Sequence, residues 1–404
     1  MKKLLQINPT VRLSTSTGKI MREIGEMAVS AGWESYIAYS GARDGIPPHS
    51  SKLLPVGSRF DLLCHFLATR LFDAHGLVSR RATRKLIERI REIDPDIIHI
   101  HNIHGYFLNY PELCRYLAES GKPVVWTVHD CWLYTGHCYH YASAGCDRWM
   151  TECHDCPCKT RFPASYGLDR SSRNFRLKKK LFTSIPNLTL VVVSDWMKAE
   201  LAKSFLANAP CRTIHNGIDT QVFAPGGTTE GLPAGKAVYY LAVASIWLPE
   251  KGLGDLAKLS AMLAPDEHLV IVGKMTKSQR RSLPDGIVAI ERTANVETLV
   301  GLYSGATALV NPTWQDNYPT VNLEAISCGT PVVTYRTGGS VESIVPDTGF
   351  VVEQGDVEGL YARLQDIRKQ DREQWRSSCR DHALRNFDKQ LALGEYLKLY
   401  ESLS

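Results

Sequence analysis

Asp316 and Glu324 stand with seven residues between them in the stretch Asn311-Pro312-Thr313-Trp314-Gln315-Asp316-Asn317-Tyr318-Pro319-Thr320-Val321-Asn322-Leu323-Glu324-Ala325-Ile326-Ser327-Cys328-Gly329-Thr330-Pro331. A short apolar run ends near Asn311 and a loop carries Asp316. A helix is predicted to start near Thr320, with Thr320 as its N-cap, and to stop at Gly329. Ligands of open α/β sheets bind beyond the carboxyl ends of the strands. A helix N-terminus at that place offers N–H groups and the positive end of the helix dipole, which suit a diphosphate. Glu324 lies about one turn inside the helix, where a carboxylate can accept hydrogen bonds from a ribose diol. Asp316, on the preceding loop, can reach a sugar. A lone helical glutamate is usually a solvated surface group; here the strand–loop–helix setting points to a ligand.

Other residues in the first half carry chemistry. His129-Asp130 closes the apolar run Pro123–Val128, so His129 is expected at the carboxyl edge of a sheet. Ser14-Thr15-Ser16-Thr17-Gly18-Lys19-Ile20 follows the first strand, but the first glycine of a P-loop is absent at Leu13 and Ile20 replaces its magnesium-binding hydroxyl. An ATPase is excluded, and Gly18 remains as a close-approach position at a helix start. Cys131, Cys138, Cys146, Cys153, Cys156 and Cys158 crowd into 28 of the 404 residues. Disulfides are uncommon in the cytoplasm. Cys153-His154-Asp155-Cys156 has the spacing of a zinc knuckle, with Cys138 and Cys146 available to complete a tetrahedral site. His137, His140 and His154 compete as ligands. Four thiolates would make a closed, structural zinc site rather than a catalytic one.

The elements that must position these residues are legible as alternating strands and helices. Apolar runs fall at Lys3–Ile7, Ser35–Tyr39, Asp96–Ile100, Pro123–Val128 and Leu188–Val193, then at Ala237–Ala244, His268–Val272, Gly286–Ile290, Ala308–Asn311 and Pro331–Tyr335. Their continuity suits parallel strands covered on both faces. Leu86, Ile87, Ile90 and Ile93 mark one helix face ending before Asp94-Pro95, and Met197, Leu201 and Phe205 mark another. The turn-rich stretch Ala224–Pro233 reads as a linker between two α/β halves. A chain of 404 residues suits two domains. No apolar run is long enough to span a bilayer, and the N-terminal run is too short for a signal peptide. The expected location is therefore the cytoplasm.

The net charge of +5 is uneven, with 29 Lys and Arg against 20 Asp and Glu in residues 1–220. Arg80, Arg81, Arg84, Lys85, Arg89 and Arg91 form one basic cluster, and Lys178, Lys179 and Lys180 another. Either these are solvated helix faces, or the first half meets a phosphate-bearing acceptor or an anionic membrane surface.

The stretch around Asp316 resembles the retaining glycosyltransferases of family 4, which have the GT-B fold. Their signature is two acids separated by seven residues, then a small residue and a Cys-Gly-x-Pro-Val-Val-like turn and strand. Asp316, Glu324, Ala325 and Cys328-Gly329-Thr330-Pro331-Val332-Val333 match it. Val193-Ser194-Asp195-Trp196-Met197 is similar to the family's last strand end of the N-terminal domain. Asn216-Gly217-Ile218-Asp219 with Phe223 is similar to its interdomain junction, and Gly338-Gly339-Ser340-Val341-Glu342 to its glycine turn. Two departures stand out. The first acid, usually Glu, is the shorter Asp316. The Arg and Lys usually paired on the donor phosphates are reduced to Lys251, because Ile246 occupies the arginine position.

The resemblance implies an α/β protein of GT-B type, with two facing Rossmann-like domains and a cleft between them. Residues 1–215 would bind the acceptor and hold the cysteine-rich insert near 131–158. Residues 216–385 would bind the nucleotide sugar, and a helix in 386–404 would cross back. His129, Asp316 and Lys251 are implied at the reacting centre. Gly18, Lys251, Asn317, Tyr318, Thr320, Val321 and Glu324 are implied on a UDP- or GDP-sugar donor, without a catalytic metal. A bacterial polysaccharide subset is similar through the insert as well, its cysteines falling on Cys138, Cys146, Cys153 and Cys156. That subset implies capsule, exopolysaccharide or O-antigen assembly, with a lipid-linked oligosaccharide acceptor at the inner face of the membrane. It also implies peripheral contact with anionic lipid and no nucleic-acid partner. Two other readings stay open: a GT-B nucleotide-sugar epimerase, and a zinc-braced carbohydrate- or nucleic-acid-binding protein without catalysis.

Overall fold

Runs of valine, isoleucine and leucine without alternation need cover on both faces, and they become the inner strands of two parallel sheets. The computed structural model describes residues 1–13, 15–41, 49–228 and 238–404. The chain divides into two units, Met1–His215 with Leu393–Ser404, and Asn216–Ala392.

The first unit runs β1 (Lys3–Ile7), α1 (Ser16–Ser30), β2 (Glu34–Ser40), β3 (Lys52–Val56), α2 (Arg59–Phe72), α3 (Arg80–Ile93), β4 (Ile97–Ile100) and α4 (Tyr110–Ser120). It continues with β5 (Val124–Val128), α5 (Ser171–Phe182), β6 (Leu188–Val192), α6 (Asp195–Leu201) and β7 (Cys211–Thr213). Its sheet has the order β3-β2-β1-β4-β5-β6-β7. The order reverses between β1 and β4, the switch point where such sheets leave a crevice at their carboxyl ends.

The second unit runs β8 (Val238–Ile246), α7 (Leu253–Ser260), β9 (Glu267–Lys274), α8 (Lys277–Arg281), β10 (Ile287–Ile290), α9 (Val296–Gly305) and β11 (Ala308–Asn311). It continues with α10 (Thr320–Ser327), β12 (Val332–Tyr335), β13 (Gly349–Val352), α11 (Val357–Arg368) and α12 (Arg372–Asn386). Its sheet order, β10-β9-β8-β11-β12-β13, places the switch point between β8 and β11. The last helix, α13 (Lys389–Leu403), starts in the second unit and ends in the first.

The strands absent from the sequence reading, β3, β7 and β13, all lie at sheet edges. An edge strand pairs on one side and is partly uncovered, so it needs no unbroken apolar run. β3 even contains Pro55. Helix α6 is shorter than the Met197–Leu201–Phe205 spacing suggests. It stops at Leu201, and Phe205 packs edge-on against Phe175 from the following turn, with ring centroids 5.2 Å apart. The predicted linker lies outside the described residues from position 229 on, as do Ser14 and the first residue of the Ala237–Ala244 run.

Leu393–Ser404 group with the first unit. Asp219 holds Lys389 at 2.7 Å, and Ile218 bridges to Asp388, which keeps the start of α13 with the second unit. Farther along, the Tyr400 hydroxyl lies 2.6 Å from His99 Nδ1, and the Tyr396 hydroxyl 3.0 Å from Thr127 Oγ1. These polar contacts fix the helix in register on β4 and β5.

The two basic clusters fare differently. Lys178 is buried and donates to the Trp132 and Thr135 carbonyls at 2.6 and 2.9 Å, so it is not part of a surface patch. Burial lowers its pKa to about 7. In α3, Arg84 and Arg80 turn to Glu112 of α4, at 3.3 and 3.9 Å, while both side chains stay exposed at the surface. Among the described residues no helix is long and apolar enough to cross a membrane.

Candidate active site

The second unit gathers Lys251, Asp316 and the start of α10 at its switch point. Lys251 follows β8 and Asp316 follows β11, which are neighbours in the sheet. The Lys251 ammonium lies 2.6 Å from Asp316 Oδ2. Backbone contacts hold the two loops together: the Trp314 N–H donates to the Glu250 carbonyl at 2.8 Å. Gly252 has φ +76, and a Cβ there would lie 2.1 Å from the Pro312 carbonyl oxygen. The glycine turn after β12 closes the other side, where a Cβ on Gly338 would lie 1.9 Å from the Asp316 oxygen. The shorter acid therefore still meets its lysine, because the backbones around it approach closely.

Helix α10 starts at Thr320, but Thr320 is its first helical residue and not its cap. The cap position is Pro319, which provides no side-chain hydrogen bond, and no acid occupies the first turn. The helix start thus keeps donors and a positive dipole end that a serine or aspartate cap would have consumed. Thr320 and Val321 are half-buried there, while Asn317 and Tyr318 are buried. The far end matches expectation: Gly329 follows the last turn with φ +80. Glu324 is half-buried and accepts a 2.8 Å hydrogen bond from the buried Tyr303 hydroxyl, so it is not an ordinary solvated glutamate.

The arginine position, Ile246, is 52% exposed at the end of β8. Its register partner on β9 is Lys274, also exposed. Sequence inspection misses Lys274 because only strand pairing brings it beside Ile246. It misses Asn322 in the same way: its Nδ2 donates to Ser340 and Ser343 hydroxyls at 3.2 and 3.0 Å, tying α10 to the glycine turn.

In the first unit, His129 follows β5 at the carboxyl edge as expected. Gln6 Nε2 donates to the Met21 carbonyl, so Gln6 Oε1 faces His101 Nε2, 3.0 Å away. His101 Nε2 must therefore carry the proton, and its Nδ1 accepts from His129 Nε2–H at 3.0 Å. His129 is left with Nδ1 as its accepting nitrogen, the tautomer suited to taking a hydrogen bond from a hydroxyl. Burial keeps both rings neutral, lowering His129 to about 4 and His101 well below the imidazole range. Gln6 and His101 lie inside apolar strands, which hid them from sequence reading. Gly18 sits in the first turn of α1, where a Cβ would meet the Arg12 carbonyl oxygen at 2.4 Å and Thr15 Oγ1 at 2.6 Å. Its small size is thus required by its own loop.

All eleven cysteines are thiols. Among the described residues, Cys138, Cys146, Cys153 and Cys156 do not form a group whose ligand atoms all lie within 4.8 Å of one another. Instead the Cys138 thiol interacts with Cys156 and Cys158, and Cys153 accepts from the Gly136 N–H at 3.2 Å. Cys153 also lies near enough to Cys146 and Cys156 to interact with them, so these thiols share one neighbourhood of the first unit.

Comparison with known proteins decides the family. The profile of Glycosyltransferase Family 4 matches residues 18–222, and that of Glycosyl transferases group 1 matches residues 237–370. The chain belongs to glycosyltransferase family 4. This glycosyltransferase is 24% identical over 372 residues to the putative colanic acid biosynthesis glycosyl transferase WcaC of Escherichia coli, covering 88% of each chain. Its fold is similar to that of a sucrose-phosphate synthase from Thermosynechococcus elongatus, with TM-score 0.70 and 17% identity over 100% of this chain and 99% of that one. It is also similar to Anabaena HepE in complex with UDP-glucose, with TM-score 0.66 and 14% identity over 100% of both chains. The two parallel-sheet units are those of a GT-B enzyme.

The buried imidazoles of the glycosyltransferase have a consequence for stability. His65, His75, His99 and His101 are all buried and all held below the usual imidazole value of 6.5 by desolvation. The unfolded chain therefore binds more protons than the folded one once pH falls below about 6.5. Stability is complete above that value and decreases on acidification, each group adding up to about 1.4 kcal/mol per pH unit to the slope. The expected result is a thermal midpoint that is flat above neutrality and drops steeply below pH 6.5. A flat profile down to pH 5 would contradict the neutral-imidazole assignment.

Proposed function

We propose that this enzyme moves a sugar from a UDP- or GDP-sugar to a lipid-linked oligosaccharide, with retention of anomeric configuration, in surface polysaccharide assembly. The observation that carries the proposal is the uncapped start of α10, flanked by the Lys251–Asp316 pair and followed one turn later by Glu324. The diphosphate lies against that helix start and Lys251, the ribose diol hydrogen-bonds to Glu324, and Asp316 with Asn317 and Tyr318 lines the sugar end. His129, neutral and accepting through Nδ1, takes a hydrogen bond from a donor-sugar hydroxyl. The first unit binds the acceptor.

In the reaction, the bond between the sugar anomeric carbon and the phosphate oxygen breaks. The acceptor oxygen bonds to that carbon from the same face. The acceptor proton passes to the departing phosphate oxygen, and nucleoside diphosphate leaves. Lys251 and the α10 N–H groups stabilise the negative charge that grows on the leaving group. The polysaccharide setting is supported by the likeness to WcaC, and the uridine donor by the UDP-glucose complex of HepE. Zinc has no part in the reaction. A structural zinc on Cys138, Cys146, Cys153 and Cys156 predicts about one equivalent of zinc in the purified enzyme by elemental analysis, and its absence would leave these residues as thiols.

A thermal-shift series with UDP-, GDP- and ADP-sugars tests the donor reading, because a ligand that binds only the folded state raises its midpoint. One nucleotide class should stabilise the enzyme. If none does, the donor site is misassigned.

A further inference from the structure

Helix α2 turns its polar side chains inward and its leucines outward. His65 and Thr69 are its buried residues. His65 Nε2 accepts from the Gly76 N–H at 2.8 Å, His65 Nδ1 lies 3.0 Å from Ser79 Oγ, and Thr69 Oγ1 donates to the His65 carbonyl at 2.8 Å. On the opposite face Phe60, Leu63, Leu67 and Leu71 are 73%, 51%, 47% and 52% exposed. The helical period places all four within roughly a quarter of the circumference. A surface helix of a self-sufficient domain shows the reverse pattern, with the apolar stripe facing the core.

The stripe is extended by the loop that follows the cysteine-rich segment. The Tyr166 and Gly167 N–H groups donate to the Arg70 carbonyl at 2.8 and 3.2 Å, and the Leu168 N–H to the Leu71 carbonyl at 3.0 Å. These bonds satisfy carbonyls that the last turn of α2 would leave open. They also set the exposed Tyr166 and Leu168 beside the exposed Phe72. The result is one apolar face built from two distant parts of the chain.

The flanking charges identify what covers it. Arg70, Lys159 and Arg170 border the face. The Arg70 guanidinium lies 4.8 Å from the Phe66 ring and 5.2 Å from the Tyr166 ring, and Arg170 lies 5.9 Å from the Phe72 ring. Lys159 Nζ donates to the Gly167 carbonyl at 3.2 Å. The nearby acids are occupied locally: Asp61 closes the α2 capping box, and Asp169 accepts from the Cys156 and Ser171 N–H groups. A second copy would bring like charges together. Leucine and phenylalanine bordered by tyrosine and arginine suit the headgroup region of an anionic bilayer.

We propose that the outward face of α2, with Tyr166 and Leu168, is the surface by which this enzyme docks on anionic lipid. The proposal rests on the lipid-linked acceptor of the proposed function only for its purpose; the surface stands on its own geometry. Docking there places the first unit at the membrane without a spanning helix. The loop after the cysteine-rich segment seats Tyr166 and Leu168 there on α2.

Sedimentation with phosphatidylcholine vesicles, with and without phosphatidylglycerol, tests it. The full chain should bind the phosphatidylglycerol vesicles, less so as salt rises. The double variant Leu63→Asp/Leu67→Asp should bind them more than about tenfold less tightly. Because both leucines are about half exposed, its UDP-sugar thermal shift should be unchanged. Phe60→Ser, at the most exposed position, should weaken binding by a smaller factor and gives the answer if the double variant does not fold. The proposal is overturned if the wild-type chain stays in the supernatant with both vesicles, or if both variants bind as the wild type does. It is also overturned if the wild type is a dimer that the double variant splits. Vesicle binding without any nucleotide-sugar shift would sink the donor assignment and leave this surface standing, so the two failures are distinct.

Discussion

Lys251→Ala is expected to lower kcat by about 10²- to 10³-fold, the usual cost of removing one preorganised group that meets charge growing in the transition state. The size follows from how little else is available. Ile246 provides no charge where the family carries an arginine, so the diphosphate meets Lys251 and the α10 N–H groups. Removing the ammonium also strips Asp316 of its 2.6 Å partner, leaving a carboxylate facing the departing phosphates. The pair is partly exposed, and such pairs contribute about 0–1 kcal/mol to stability. The thermal midpoint of the unliganded variant should therefore stay close to that of the wild type, which separates a lost charge from a lost fold. Lys251→Arg keeps the charge and should recover part of the rate, though with a different hydrogen-bond geometry. Lys274→Ala is the informative comparison. Lys274 stands opposite Ile246 in the β8–β9 register but begins its own loop, and its loss should cost less than about tenfold. If single-turnover rates of Lys251→Ala stay within about threefold of wild type, Lys251 is not on the leaving group.

Glu324→Gln should act on the other side of the kinetics. A ribose diol is held in the ground state and in the transition state alike, so its loss removes uniform binding and raises the donor KM. Hydrogen bonds to a charged partner are worth about 1.5–3 kcal/mol, which corresponds to a KM roughly 10- to 100-fold higher with kcat little changed. Glutamine is preferred to alanine because it retains an oxygen for the Tyr303 hydroxyl, 2.8 Å away in the wild type. Without that oxygen a buried phenol would lose its acceptor, and destabilisation of about 1–3 kcal/mol would cloud the kinetics. Tyr303→Phe provides the complement: the carboxylate stays charged but loses its orienting bond, so a milder KM effect is expected. A fall in kcat at unchanged KM for Glu324→Gln would move Glu324 from the ribose to the reacting centre.

The α/β architecture and the strand–loop–helix setting of Asp316 and Glu324 were readable in the sequence for a common reason. Inner parallel strands are covered on both faces, so Lys3–Ile7, Val124–Val128 and Ala308–Asn311 carry unbroken apolar runs. The Asp316–Glu324 spacing is local, spanning one loop and one turn of helix. Edge strands β3, β7 and β13 escaped notice because pairing on one side demands much less of their composition. The cap of α10 was misplaced by one residue, and the difference matters. A threonine cap would have closed the helix start to a ligand, whereas Pro319 leaves it without a side-chain bond.

What the chain's sequence determined by itself is therefore the set of elements and the Asp316–Glu324 spacing proposed to face the donor, since both depend on neighbours a few residues apart. Only the tertiary structure decided which side chains support them. Lys251 meets Asp316 across 65 positions and Gln6 fixes the His101 tautomer across 95, because parallel strands distant in sequence are neighbours in their sheets, and Tyr303 meets Glu324 across 21 because helices α9 and α10 pack together. The same holds for the outward face of α2. Periodicity alone shows that an apolar stripe exists, but only burial reveals that the core takes His65 and Thr69 instead. The basic cluster Lys178–Lys180 changed meaning for the same reason: burial drew Lys178 inside.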